Sequence, residues 1–110
     1  MKHQKTGPGF VVLYRWRLHE AKIDQFIEAW SKVSEQLLVE GGSLGSRLHR
    51  SQDGTWYSYA QWQSAEARQN AFAMVPNDLS SRSAMREAIA EELPEVVLES
   101  VSDFMVLPPQ

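Results

Sequence analysis

A ring of aromatic side chains around three small ones is the part of this sequence best suited to chemistry. The small residues Ser46, Ser58 and Ala60 lie in two neighbouring segments that alternate like β-strands. Large rings occupy the positions around them in such a sheet or come from a preceding helix: Tyr14, Trp16, Phe26, Trp30, Trp56 and Trp62. Small side chains among large rings leave either a void that fits a flat aromatic ligand or a close helix approach. We predict that the six aromatic residues, with Ser46 and Ser58, line a substrate pocket; in the alternative, Trp30 itself fills the space.

Few polar groups accompany these rings, so the sequence does not fix a catalytic residue. Trp62 ends a strand just before a helix cap, where its side chain can lean over the rim of the pocket and offer its indole N–H. Tyr14 offers a hydroxyl, and Arg82 or Arg86 can reach in from a later helix. Trp62, Tyr14 and His49 are the candidate catalytic residues.

His49 is the histidine with the most suggestive neighbours. It is predicted opposite Tyr57, with Arg47 and Tyr59 beside it, and an imidazole among phenols could act as a general base. Strand alternation directs His49 away from the aromatic pocket, however, which favours a structural role at an interface. No second His or carboxylate stands at ligand spacing, so we predict no metal site.

The turn of a hairpin sets the register that groups these residues. A three-residue loop at positions 52–54, with Gly54 in the left-handed conformation, pairs Ser51 with Thr55. Leu48 then faces Ser58, and Ser46 faces Ala60. The opposite side of the hairpin pairs His49 with Tyr57 and Arg47 with Tyr59.

The order of the predicted elements indicates a ferredoxin-like α+β fold. We expect a flexible lead-in over residues 1–9 and a single domain over residues 10–107. The elements are a strand Phe10–Leu18, a helix Ala21–Val39, hairpin strands Leu44–Ser51 and Thr55–Trp62, a helix Ala65–Val75 capped by Ser64 and stopped by Pro76-Asn77-Asp78, a helix from Ser80 or Ser81 to Leu93, a strand Val96–Leu107 and a closing Pro108-Pro109. This order predicts a four-stranded antiparallel sheet with helices on one face.

The sheet face away from the helices is predicted to contact a second subunit. Arg15, Arg47, His49, Tyr57 and Tyr59 fall on it, beside apolar residues of the first strand. Arg and Tyr are enriched at subunit interfaces, so we predict a homodimer joined through this face. In the alternative, the face is open and its tyrosines lie under arginine stems.

Composition excludes several classes of protein. The formal charge is −3, and the eleven Lys and Arg are scattered, so a nucleic-acid partner is not expected. The absence of cysteine removes disulfides, thiolate nucleophiles and Cys-ligated metals, and fits a cytoplasmic protein. No apolar run approaches a membrane span, so we expect no membrane association.

The sequence resembles the antibiotic biosynthesis monooxygenase family over about Phe10 to Phe72. Two segments carry the resemblance: FVVLYRWRLHEAKIDQFIEAW and GGSLGSRLHRSQDGTWYSYAQWQSAEA. The pieces GSLGSRLHR and YAQWQSAEA are the most specific. The resemblance implies a dimeric α/β barrel, a homodimer built sheet to sheet with a pocket in each subunit. It also implies an oxygenase that uses no metal, flavin or nicotinamide, so no cofactor is expected.

Members of that family include quinol and polyketide-anthrone oxygenases, haem-degrading enzymes and proteins of no known activity. The haem-degrading branch uses an Asn on the first strand and a His on a later helix. Trp16 stands at that strand position here, and the segment Ser80 to Leu93 has no His, which disfavours haem degradation. The resemblance therefore predicts a cofactor-independent monooxygenase that oxidises an electron-rich aromatic with dioxygen; the alternative is a non-catalytic dimer of the same fold that binds a small molecule.

Overall fold

One antiparallel sheet carries all the helices on one of its faces. A computed structural model describes residues 9–74 and 79–106. The elements are β1 (Phe10–Leu18), a 3₁₀ turn (Glu20–Lys22), α1 (Ile23–Glu40), β2 (Ser46–Arg50), β3 (Trp56–Trp62), α2 (Ala65–Met74), α3 (Leu79–Ala88) and β4 (Ile89–Leu98). The strand order is β2-β3-β1-β4, which confirms the predicted ferredoxin-like sheet. Within the described ranges, no helix combines the length and apolar character needed to cross a membrane.

Several predicted features lie outside the described residues. They are the lead-in apart from Gly9, the breaker Pro76-Asn77-Asp78 with Val75 before it, and the end of the chain from Leu107 through Pro108-Pro109.

The β2–β3 hairpin has the predicted register. Ser46 pairs with Ala60 and Leu48 with Ser58, and the turn closes with a 2.8 Å hydrogen bond from the Ser51 N–H to the Thr55 carbonyl. Gly54 adopts φ +89°, the left-handed conformation that the loop requires.

Two buried clusters between the sheet and the helices form the core. The first contains Val12, Leu37, Trp62 and Ala71, and the second contains Trp16, Phe26, Trp56 and Ala88. Tyr14 packs against both clusters. The apolar stripe of α1 supplies Phe26 to one cluster and Leu37 to the other, because residues spaced by multiples of about 3.6 share one helix face. The first helix is therefore fixed to the sheet at both ends.

Two predictions about the end of the chain are wrong. The helix predicted to continue to Leu93 ends at Ala88, and the strand predicted over Val96–Leu107 is β4, which ends at Leu98. Met85, Ala88, Ile89 and Leu93 have helical spacing, but pairing with the central strand β1 determines the conformation from Ile89 onward.

Pro94 does not break β4, because it lies at the sheet edge where the register against β1 is irregular. A proline lacks an N–H, so sheets accept it at edges and bulges. The Nε and Nη2 atoms of Arg15 both donate to the Pro94 carbonyl, at 3.0 and 2.9 Å. Arg15 therefore stabilises the irregular part of β4.

The hairpin turn leads to a pH-dependent prediction. The carboxylate of Asp53 accepts hydrogen bonds from the Ser51 hydroxyl and the Thr55 N–H, and these bonds lower the pKa of Asp53 to about 2. A carboxyl with a lowered pKa in the folded state stabilises the fold above its unfolded pKa, and this effect is lost as the pH falls through the folded value. Asp53→Ala should reduce the free energy of unfolding at neutral pH, and the difference from wild type should narrow from about pH 4 to about pH 2.

Denaturant titrations across this pH range measure the effect. Gln52→Ala is the control, because it changes the same exposed turn without removing a carboxylate; its effect should not depend on pH. A difference for Asp53→Ala that stays constant down to about pH 2 would contradict the role of the ionised carboxylate.

Candidate functional site

A cavity of about 380 Å³ lies between the sheet and the helices α1 and α3. Its walls include members of both core clusters, so it occupies the gap between them. The lining residues are Tyr14, Trp16, Trp30, Val33, Ser34, Leu37, Ser43, Ser46, Ser58, Ala60, Trp62, Phe72, Arg82, Met85, Arg86, Ile89 and Glu92. This volume fits a ligand of a few fused rings.

The sheet provides a floor of small residues beside an aromatic wall. Ser46, Ser58 and Ala60 line the cavity from β2 and β3, as the hairpin register predicts. Tyr14 and Trp16 stand side by side on β1, with ring centroids 6.1 Å apart and an interplanar angle of 6°. Two nearly parallel rings give a flat apolar surface, against which an aromatic ligand can lie.

Trp30 crosses the space above the floor without filling it. Its indole N–H donates a 3.1 Å hydrogen bond to the Ser58 hydroxyl, which fixes the ring at the cavity wall. The cavity remains beside it, so the alternative in which Trp30 fills the space does not hold.

Two residues predicted for the pocket lie in the core instead. Phe26 is fully buried and meets Trp16 edge to face at 5.1 Å, behind the wall that Trp16 presents. Trp56 pairs across from Trp16, and its ring lies under the guanidinium of Arg50 at 5.4 Å. Spacing along the strand and the helix places both rings between the sheet and the helices, but it does not show which rings line the cavity and which pack behind them.

Trp62 lies deeper than its predicted position at the rim. Its side chain is only 1% exposed and packs in the first core cluster, with its ring 5.9 Å from that of Phe72. The α2 helix follows directly, with Ser64 accepting a hydrogen bond from the Ala67 N–H, and covers the indole. Trp62 is therefore a wall residue of the cavity.

Two buried donors at the cavity have no hydrogen-bond partner in the described part of the chain. They are the indole N–H of Trp62 and the Nε–H of Arg82, and both residues line the cavity. A buried donor without an acceptor costs about 1–3 kcal/mol. An acceptor atom of a bound ligand would remove that cost, so these donors favour ligands that carry oxygen atoms.

Tyr14 has a charged partner outside the cavity. Arg68 donates from Nε to the Tyr14 hydroxyl oxygen at 3.0 Å and from Nη2 to Glu95 Oε1 at 2.9 Å. Burial raises the pKa of Tyr14 above its ordinary value, and the charge and hydrogen bond of Arg68 only partly oppose this. The Tyr14 phenol is therefore protonated at neutral pH.

The cavity opens where its lining becomes exposed. Arg86 and Glu92 are exposed, and Phe72 is 38% exposed. The guanidinium groups of Arg68 and Arg82 each lie 5.8 Å from the centroid of the Phe72 ring. The mouth thus combines one aromatic ring with charged groups of both signs, in contrast to the apolar interior.

His49 does not reach this cavity. It lies on the opposite sheet face, in a second pocket of about 380 Å³ with Arg47, Tyr59, Gln61 and Met105, so it is separated from the aromatic wall by the sheet itself. Among residues 9–74 and 79–106, no group of three or more His, Asp or Glu side chains is arranged to hold a metal ion.

Sequence reasoning missed several lining residues and the partner of Tyr14. The missed lining residues are Val33, Ser34, Leu37, Ser43, Phe72, Met85, Ile89 and Glu92. Arg68 and Phe72 are four residues apart on α2, so helical spacing could have placed them on one face. Nothing in the sequence shows that this face meets Tyr14 and Glu95.

A protein-family model matches more than half of this chain. The model for antibiotic biosynthesis monooxygenases matches residues 9–74. This chain belongs to the antibiotic biosynthesis monooxygenase family. A comparison with curated protein sequences found no match.

Solved structures show the same fold at low sequence identity. SnoaB from Streptomyces nogalater, described as a cofactor-independent oxygenase, is 17% identical, with a TM-score of 0.71 over 88% of this chain and 97% of that one. Rv0793 from Mycobacterium tuberculosis is 16% identical, with a TM-score of 0.71 over 87% and 98%. A conserved protein from Methanosarcina mazei Go1 is 11% identical, with a TM-score of 0.70 over 86% and 94%. At these identities the likeness establishes the fold.

The buried position of Trp62 predicts a large effect on stability. Trp62→Ala should lower the free energy of unfolding by about 3–5 kcal/mol, because the ring packs within a core cluster. Trp62→Phe should cost less, since it retains most of the apolar volume and removes an unpaired N–H. Chemical denaturation of the purified variants measures both effects.

Gln63→Ala, at the exposed neighbouring position, is the control and should change stability by less than about 0.5 kcal/mol. A cost for Trp62→Ala below about 1 kcal/mol would contradict the buried wall position.

Proposed function

We propose that this protein is a cofactor-independent monooxygenase that oxidises an electron-rich aromatic compound, of the quinol or polyketide-anthrone type, with dioxygen. The observation that carries this proposal is the aromatic-walled cavity in which two buried N–H donors, of Trp62 and Arg82, lack acceptors. Family membership and the fold shared with SnoaB, itself described as a cofactor-independent oxygenase, support it.

The reaction needs little from the protein beyond binding and orientation. An anthrone CH₂ group loses a proton, and the resulting anion passes one electron to dioxygen. The substrate radical and superoxide combine to a peroxide anion, which takes back the proton, and the resulting hydroperoxide loses water, so that the CH₂ group becomes C=O and one oxygen atom leaves as water. The substrate supplies the electrons, so no separate reductant is required. The cavity would hold the substrate in one orientation and keep bulk water away from the anion.

The two unpaired donors suit the charge that develops on such a substrate. Deprotonation of an anthrone or quinol places negative charge on its oxygen. A preorganised N–H group that faces this oxygen stabilises the anion more than the neutral compound, which lowers the barrier to deprotonation. We assign this role to the Trp62 indole N–H and the Arg82 Nε–H, because both belong to residues that line the cavity and neither has an acceptor among the described residues.

A non-catalytic module that binds small aromatic molecules is the second candidate function. The observation that favours it is the lining itself, which is mostly apolar and contains Glu92 as its single carboxylate among the described residues. Such a module would bind the same compounds without consuming oxygen, so one assay distinguishes the two functions.

We also propose that two copies of the chain associate through the sheet face away from the helices. Leu13 and Tyr59 pair on this face, and Val96 and Leu98 of β4 are 36% and 40% exposed beside them. The segment after β4 adds further apolar side chains: Val101, Phe104, Met105 and Val106 are 76–87% exposed. Water contact with so much apolar surface is unfavourable, and a second copy would cover it. Arg15, Arg47, His49, Tyr57 and Tyr59 would lie at or near the contact.

Oxygen consumption tests the proposed activity. The purified protein should accelerate oxygen uptake by 1,8-dihydroxyanthrone or a naphthoquinol without any added cofactor. Trp62→Phe and Tyr14→Phe should each lower kcat/KM by about 10- to 100-fold, because each removes a hydrogen-bond donor from the cavity. Tyr57→Phe makes the same change on the opposite sheet face and should leave the rate unaltered.

An oxygen electrode gives the rates, and fluorescence of the cavity tryptophans reports binding of the same compounds. Binding without uptake above the uncatalysed rate would establish the binding module instead of the oxygenase.

Sedimentation tests the proposed assembly. The wild-type protein should be a dimer at micromolar concentration. Tyr59→Glu should dissociate it, because it places a charge within the apolar contact. Leu38→Glu introduces the same charge at an exposed position of α1 and should leave the dimer intact. A monomeric wild type, or dissociation by Leu38→Glu alone, would contradict an interface on this sheet face.

A further inference from the structure

The irregularity in β4 places a carboxylate beside Tyr14. Leu13 pairs with Val96 and Arg15 with Leu93, so Pro94 and Glu95 together stand opposite Tyr14. This is the two-against-one pattern of a β-bulge, which changes the direction of the side chains that follow. Glu95 thereby joins the helix-facing side, where Arg68 of α2 reaches it at 2.9 Å.

The Arg68 guanidinium is fixed by several contacts at once. It donates to both Tyr14 and Glu95, and its Cζ atom lies 5.4 Å from the Tyr14 ring centroid and 5.8 Å from that of Phe72. The side chains of the Arg68–Glu95 pair are 24% and 41% exposed, so the pair is partly sheltered from water. A planar group that donates hydrogen bonds to two fixed partners and lies near two rings has little freedom to rotate.

This arrangement determines which way the Tyr14 hydroxyl can donate. The oxygen already accepts a hydrogen bond from Arg68 Nε, so its own proton must turn away from the positive guanidinium. That proton has no acceptor within the described ranges, although the Tyr14 side chain lines the cavity. A phenol has one proton to donate, and an acceptor inside the cavity would complete its bonding.

We propose that Arg68, held in place by Glu95, is a positioning residue that directs the Tyr14 hydroxyl into the cavity as a hydrogen-bond donor to a ligand oxygen. This inference rests on the proposed function, because the ligand is the aromatic compound bound there. It adds a selection rule: the favoured compounds carry a carbonyl or phenolic oxygen where the ring meets Tyr14. Arg68 itself does not touch the ligand, since it is absent from the cavity lining.

A purely structural role for Arg68 would be to fasten α2 to the sheet. Loss of such a structural contact would lower the stability of the fold and weaken the binding of every ligand to the same degree. Positioning would instead affect Tyr14 and the ligands that carry an acceptor oxygen, so the two roles predict different measurements.

The titration of Tyr14, followed by NMR of ¹³Cζ-labelled tyrosine, is the first test and needs no ligand. Tyr14→Phe assigns the signal among the three tyrosines. Arg68→Met should raise the pKa of Tyr14, because the Arg68 charge and hydrogen bond both lower it; Glu95→Gln should shift it the opposite way, because the Glu95 charge raises it. Arg68→Lys keeps the charge and should shift the pKa less than Arg68→Met. A Tyr14 pKa unchanged by Arg68→Met would overturn the proposal.

The second test compares two probes that differ by one acceptor, 1-tetralone and tetralin, with tryptophan fluorescence as the readout. Wild type should bind 1-tetralone more tightly than tetralin by about three- to tenfold, the effect of one hydrogen bond. Tyr14→Phe and Arg68→Met should remove this preference and leave tetralin affinity unchanged; Arg68→Lys should restore part of it. Tyr57→Phe is the matched control and should keep the full preference.

The outcomes separate this inference from the proposed function. If Arg68→Met weakens the binding of both probes and leaves the ratio of their affinities unchanged, Arg68 has only the structural role of holding α2 to the sheet. A preference for 1-tetralone that survives Tyr14→Phe would equally overturn the proposal. If the protein does not accelerate oxygen uptake but the variants change the preference for 1-tetralone as described, the oxygenase is refuted. The positioning role of Arg68 is then still supported.

Discussion

The register between β1 and β3 is the constraint on which the cavity depends. It sets Tyr14 opposite Ser58 and Val12 opposite Ala60, while Trp16 faces Trp56 near one end and Phe10 faces Trp62 at the other. Large residues therefore meet at the strand ends, and small ones lie under the middle of α1. A slip of two residues in one direction would put Trp56 opposite Tyr14 and close the space, whereas a slip of one would turn every ring to the other face. The core divides into two clusters because this register leaves a gap between them.

Such a gap opposes the stability of the fold. Well-packed interiors avoid voids, because atoms that line a void lose dispersion contacts, and a buried donor without an acceptor adds its own penalty. Here the void and the unpaired donors of Trp62 and Arg82 occur at the same place. A ligand that fills the void and accepts hydrogen bonds from the unpaired donors would restore the lost dispersion contacts and remove the penalty of the donors. It would stabilise the folded state in proportion to its occupancy. The least stable part of the core is thus the part best suited to bind.

The bulge in β4 connects the two faces of the sheet. On the outer face its Pro94 carbonyl accepts both hydrogen bonds of Arg15, and on the inner face Glu95 meets Arg68. One extra residue in an edge strand thereby orders an arginine on each side. The inner arginine contacts Tyr14 at the cavity, and the outer one lies on the face proposed to join two copies.

The amino-acid sequence by itself determined β1, the hairpin and its register, the first helix and the ferredoxin-like order. These follow from alternation, helical spacing and one turn glycine, all of which act over a few residues. It also determined which strand residues share the helix-facing side, so the part of the cavity lining that the sheet supplies could be predicted. The end of the chain could not be predicted, because Ile89 to Leu93 fits a helix or a strand, and pairing with β1, more than seventy residues earlier, decides between them.

Only the tertiary structure decided which rings face the cavity and which support it. Phe26 and Trp56 share a face with Trp16 and Trp30 but do not line the cavity, and which rings line it depends on how α1 crosses the sheet. The contact of Arg68 with Tyr14 and Glu95 joins three elements, α2, β1 and β4, at a bulge. Long-range packing and a one-residue bulge leave no local pattern in a sequence. The residues that meet through them are far apart along the chain, and their spacing along the chain follows no regular period.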